Sequence, residues 1–86
     1  MRFRRLASFA DAYHDLTPDE RRRADKALRL LAENWRHPSL RLKRMQGAED
    51  VWEARASLSL RITFQLEGDI IVLRNVGRHD DALKGA

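Results

Sequence analysis

The 86-residue sequence contains no cysteine. Disulfides, thiolate nucleophiles and cysteine-ligated zinc are therefore excluded, and the composition fits a reducing compartment. Proline occurs twice and glycine four times, and no glycine-rich phosphate cradle can be built from them, so no nucleotide cofactor is expected. The three histidines are scattered, with no carboxylate pair at ligand spacing beside them, and no metal site is expected. No apolar run approaches the roughly 18–20 residues that span a bilayer. The basic start MRFRRLASFADAY is not followed by the apolar stretch of a secretory signal. The expectation is a cytoplasmic protein with no membrane partner. Repeats, low-complexity tracts and flexible linkers are also missing, and the length suits one domain over residues 1–86.

What the chain has in quantity is charge. Charged residues make up 35% of it, with a net charge of +4. A basic surplus on a small domain suits a polyanionic partner such as nucleic acid, the ribosome or an acidic protein segment.

The hydrophobic pattern divides the chain in two. Leu6, Phe9, Ala10, Tyr13 and Leu16 form one apolar stripe at helical spacing. Thr17-Pro18-Asp19-Glu20 reads as the start of a second helix, with Thr17 as cap, Pro18 at the first helical position and Glu20 closing a capping box. Ala24, Ala27, Leu28, Leu31, Ala32 and Trp35 carry its apolar face, and Pro38 predicts a stop near Asn34–His37. After a turn at Gly47 the period changes to two. Strands are predicted over Val51–Leu58, over Leu60–Leu66 and over Ile70–Val76, the last two joined by a tight turn at Glu67-Gly68-Asp69. Met1–Arg5 adds a possible short N-terminal strand. The predicted class is α+β, an antiparallel helix hairpin packed on a small antiparallel sheet whose other face is left open.

The open face is the place to look for chemistry. Arg61, Thr63 and Gln65 share one side of the middle strand, and Glu53 and Arg55 share one side of the strand before it. On the last strand, Ile70, Val72, Arg74 and Val76 are expected on one side and Ile71 and Leu73 on the other. The basic segment Leu40-Arg41-Leu42-Lys43-Arg44 precedes the sheet, and Gly77-Arg78-His79 ends it. Arg41, Lys43, Arg44, Arg55, Arg61, Arg74 and Arg78 are expected to gather around the open face. Metal-independent RNA cleavage needs a group that activates the 2′-hydroxyl, cations that stabilise charge on the phosphate, and an acid for the leaving oxygen. His79 suits the acid or base role, and arginines suit the phosphate role. Plainer readings stand beside these: Arg61 solvated or paired with Glu53, Arg55 neutralised by Glu53, and Trp35 and Trp52 in the core.

From His37 to Asp81 the chain resembles the RelE/ParE superfamily of toxin–antitoxin toxins. The resemblance rests on LRLKRMQG, VWEAR and SLRITFQLEGDIIVLRNVGRHD in that order, with the helix hairpin ahead of them. It implies an mRNA-cutting toxin that works in the ribosomal A site and is neutralised by a cognate antitoxin protein. It further implies that Arg61 contacts the scissile phosphate and that His79 is the general acid or base. Arg55 would be a basic catalytic position, and Lys43 and Arg44 would grip RNA. Arg61→Ala and His79→Ala are expected to abolish toxicity without unfolding the domain. The sequence departs from the family pattern in having Glu53 where some members carry lysine, Leu60 where an aromatic is common, and no tyrosine after His79. Two other readings are a ParE-like inhibitor that binds DNA gyrase without hydrolysis, and an inactive relative that only binds an antitoxin.

Overall fold

The computed structural model describes residues 2–45 and 50–78. The chain begins with β1 (Arg2–Arg5), α1 (Ala7–His14) and α2 (Pro18–Asn34). A 3-10 turn (Pro38–Leu40) leads into β2 (Lys43–Arg44), β3 (Val51–Arg55), β4 (Leu60–Glu67) and β5 (Ile70–Arg78). Among the described residues the strands form one sheet in the order β1-β5-β4-β3-β2. The three pairings from β2 to β5 are antiparallel, whereas β1 runs parallel to β5, with Arg2 opposite Ile70 and Arg5 opposite Leu73.

The helices form where the sequence signals them. Thr17 accepts a hydrogen bond from the Glu20 backbone N–H at 3.2 Å, and Glu20 accepts one from the Thr17 N–H at 2.9 Å, so the capping box is complete. Pro38 does not merely stop α2: it starts the 3-10 turn, which His37 caps by accepting from the Ser39 N–H at 3.2 Å. Of the α1 stripe, Phe9 and Leu16 are buried, while Ala10 is exposed. Phe9, Ala24, Ala27 and Leu31 pack against Ile62, Phe64, Ile71 and Leu73 to form the core between helices and sheet. Truncating a fully buried phenylalanine such as Phe9 or Phe64 in such a core costs about 3–5 kcal/mol. Trp35 and Trp52 meet edge to face at 5.5 Å beside this core, in keeping with a packing role.

The strands differ from expectation in three ways. β3 ends at Arg55 rather than Leu58, because residues 56–59 turn back toward β4 and the Ala56 N–H bonds the Leu60 carbonyl. β5 continues through Gly77 to Arg78. The third difference is a register shift: Thr63 pairs with Asn75 and Phe64 with Leu73, which leaves Arg74 as an extra residue in β5. Such a bulge reverses the alternation beyond it. Val76 therefore lies in the helix-side core and not with Ile70 and Val72. The two-residue turn between β4 and β5 carries Gly68 at φ 58°, a backbone conformation that glycine adopts without strain. Gly47 lies outside the described residues.

Candidate nucleic-acid interface

The sheet face away from the helices is organised by the strand register. One row across it holds Arg55, Arg61 and Gly77; the next holds Lys43, Glu53 and Thr63; a third holds Val51, Gln65, Val72 and Arg4. The centre of this face is not solvated, contrary to expectation. Thr63 is 0% exposed, Glu53 5% and Arg61 9%, and Val51 and Val72 are buried as well. Central strand positions are hemmed in by neighbouring side chains on every side, and here those neighbours are long: Arg55 stands opposite Arg61, and Gln65 follows Thr63 on the same strand face.

Arg61 is held from several directions. Its Nε donates to Glu53 Oε1 at 3.2 Å. Its Nη1 lies 2.7 Å from the Ser57 carbonyl oxygen and 3.2 Å from those of Leu58 and Leu60. The guanidinium thus ties the 56–59 turn to β3, and among the described residues Nη2 alone of its nitrogens has no hydrogen-bond partner. Arginine suits this work because its donors point in several directions within one plane. The pairing with Glu53, one of the plain readings of the sequence, is what the structure contains.

The remaining cations divide between the two faces. Arg55 is half-buried in the ladder position opposite Arg61, and Lys43 is exposed opposite Glu53. Arg74, at the bulge, donates to Gln65 Oε1 at 2.6 Å, which holds its charge over the same face. Arg2 and Arg4 line the β1 edge, in exposed ion pairs with Asp69 at 3.4 Å and Glu67 at 3.5 Å. Arg44 stands opposite Trp52 on the helix side and pairs with Asp50 at 3.1 Å. Arg78 stands opposite Leu60, also on the helix side. There it lines an open cleft of about 310 Å³ with Asp15 and Glu20. Arg41 follows the 3-10 turn in a left-handed conformation, φ 44°. The expected gathering of seven cations is thus corrected: Lys43, Arg55, Arg61 and Arg74 share the face, whereas strand alternation turns Arg44 and Arg78 away. His79 lies outside the described residues, directly after the end of β5.

Gln65 was visible in the sequence as an outward position but had no evident role. It is the side chain that positions Arg74, and only the bulge brings the two together. Leu58, at the tip of the 56–59 turn, is 82% exposed. No pattern in the sequence singled it out, because its position extends the β3 alternation.

No protein-family model matches the chain, and no curated protein does either. Solved structures do. E. coli YafQ superposes with a TM-score of 0.79 at 10% identity, over 94% of this chain and 97% of that one. The chain has the RelE/ParE toxin fold. The RelB–RelE antitoxin–toxin complex from Methanococcus jannaschii contains a chain that matches with a TM-score of 0.75 at 16% identity, over 98% and 96% of the two chains. The YoeB/ParE toxin of Agrobacterium tumefaciens matches at 0.70 and 17%, over 92% and 99%. Coverage this complete on both sides means that the RelE/ParE fold accounts for the helix hairpin, the parallel N-terminal strand and the sheet together. Among the described residues no helix is long and apolar enough to cross a membrane.

Proposed function

We propose that this protein is the toxin of a toxin–antitoxin pair and that it cuts mRNA on the ribosome, in the cytoplasm, without a metal. The observation that carries this reading is the cationic sheet face, with Lys43, Arg55, Arg61 and Arg74 on one side of a sheet whose fold matches YafQ and RelE over nearly its whole length. Cations fixed on a sheet can hold a phosphate in one place, which a flexible basic tail cannot.

In the reaction, the 2′-oxygen of one nucleotide attacks the adjoining phosphorus and the bond to the 5′-oxygen breaks. The products are a 2′,3′-cyclic phosphate and a 5′-hydroxyl. One proton leaves the 2′-hydroxyl and one is delivered to the 5′-oxygen. Histidine suits such transfers because a free imidazole titrates at about 6.5, and His79 is assigned one of them. Arg55 is assigned the growing charge on the phosphate, because its guanidinium has no ion-pair partner among the described residues and stands in the same row as Arg61. Arg61 assists through Nη2 while it holds the turn. Lys43 and Arg74 grip neighbouring phosphates, with Arg41 further out along the RNA, whereas Arg44 and Arg78 face the helix side. The cognate antitoxin is a protein that covers this surface, a reading supported by similar toxin chains solved in complexes named RelB–RelE and DinJ–YafQ.

A second reading, gyrase inhibition by binding alone, draws support from Glu53. Its carboxylate sits in the middle of the face and takes up part of the charge of Arg61. Primer extension on a reporter mRNA in a cell-free translation reaction separates the two. New 5′ ends inside codons with the wild type and none with His79→Ala are the expected result. An intact message with translation undisturbed would reject RNA cleavage and leave a supercoiling assay to test the second reading.

A further inference from the structure

Leu58 is the most exposed large apolar side chain among the described residues, at 82%, and the turn that carries it is rigidly held. Arg61 Nη1 is shared among the carbonyls of Ser57, Leu58 and Leu60, Ser57 Oγ accepts from the Leu60 N–H at 3.2 Å, and the N–H groups of Ala56 and Ser57 both bond the Leu60 carbonyl. Single exposed leucines are common and need no explanation. This one stands on a four-residue turn whose backbone is fastened by a buried ion pair, and the turn joins the two arginines at the end of the cationic row. Arg55 and Leu58 are three residues apart, so their Cα atoms lie within about 11 Å of each other.

We propose that Leu58 is a wedge that inserts between neighbouring bases of the single-stranded RNA at the cut, and that Arg61 and Glu53 are positioning residues for it. The proposal rests on the RNA-cutting reading and adds a residue that determines rate and cut position. Stacked, helical RNA holds the 2′-oxygen, phosphorus and 5′-oxygen out of line, so cleavage requires the backbone to be splayed at one step. An apolar side chain driven between two bases does this, as leucine and other apolar wedges do in minor-groove binders. Bases in single strands are the ones available to be splayed. A wedge works only if it does not fold back when pressed, and the fastening of the turn by Arg61 supplies that stiffness. The cations beside it, Arg55 and Arg61, favour a polyanion over an acid-poor protein surface as the occupant.

The test compares single-turnover cleavage of an mRNA on purified, programmed ribosomes by the wild type, Leu58→Ala and Leu58→Met, with the 5′ ends mapped and thermal melts recorded. Leu58→Ala is expected to melt with the wild type, to cleave about tenfold more slowly at saturating ribosome concentration, and to spread its cuts over more positions. Leu58→Met, which restores apolar bulk, is expected to recover most of the rate and the original pattern. A wild type that cuts and a Leu58→Ala that cuts equally fast at the same positions would overturn the wedge and leave the proposed function standing. Unchanged cleavage by Leu58→Ala together with weakened antitoxin binding would likewise overturn it, and would make the turn a protein contact. A wild type that leaves ribosome-bound mRNA intact would overturn the RNA-cutting reading, and the wedge with it.

Discussion

Replacing Arg61 by alanine removes a cation from beside a buried carboxylate and strips three carbonyls of their shared donor. Deleting one member of a buried ion pair costs about 3–5 kcal/mol, because the other charge loses a counter-charge, here at 3.2 Å, in a place where water replaces it poorly. A domain of this size has about 5–15 kcal/mol of stability in all. At about 4–8 °C per kcal/mol, Arg61→Ala is expected to lower the melting temperature by roughly 12–40 °C. Arg55→Ala, which breaks no ion pair among the described residues, is expected to fall within about 1 kcal/mol of the wild type. The double variant Glu53→Leu/Arg61→Leu should recover part of the loss by removing the buried carboxylate along with its cation, but not all of it, since the carbonyls of the 56–59 turn still lack their donor. Circular dichroism melts of the four purified proteins measure this directly. An Arg61→Ala protein that melts within about 3 °C of the wild type would refute the structural role given to Arg61. The expectation drawn from sequence, that Arg61→Ala removes activity from an intact fold, is replaced by this one.

Other perturbations follow from individual contacts. Tyr13 donates a hydrogen bond to Asp25 at 2.7 Å, and that bond, with burial and the Asp25 charge behind it, raises the phenol pKa above its ordinary 10.0. It is the chain's single tyrosine, so ultraviolet titration of tyrosinate should show a midpoint above 10.0 that falls in Asp25→Asn. A raised pKa of this kind contributes stability at lower pH that is lost as pH rises through the folded-state value. Thr17→Ala opens the capping box and should cost about 1 kcal/mol, seen as a drop of about 4–8 °C in the melt. Gln65→Ala releases Arg74 from its 2.6 Å hydrogen bond. It should weaken RNA binding several-fold with little change in the melt, as a filter-binding titration at fixed salt would show.

What could be read from the sequence depended on whether the determinants were local. The capping box at Thr17 and Glu20, the glycine at the β4–β5 turn and the alternation of β4 each involve residues within a few positions of one another, and each appears where the pattern put it. The parallel pairing of β1 with β5 joins residues nearly seventy positions apart, and only the alternation of Phe3 with arginines hinted at a strand there. The bulge at Arg74 had no glycine or proline to announce it, so period-two counting placed Val76 on the wrong face. For the site, the faces of Glu53, Arg55 and Arg61 were legible from alternation. Whether Arg61 meets solvent or Glu53 was not, because that depends on rotamers and on how the 56–59 turn folds under the guanidinium. The basic segment misled for a related reason. Arg41 takes a left-handed conformation outside the strand, and Lys43 and Arg44, adjacent on β2, point to opposite faces.

The central claim is that RNA is cut on the sheet face away from the helices. Single-turnover cleavage of mRNA on programmed ribosomes by Arg55→Ala and Arg44→Ala, side by side with the wild type, tests it most directly. Arg55 lies on that face and Arg44 on the other. Loss of a cation aimed at the reacting phosphate is worth about 10²–10³ in rate, so Arg55→Ala should fall by about that much while Arg44→Ala stays within about threefold of the wild type. Equal losses in both, or a loss in Arg44→Ala alone, would contradict the account.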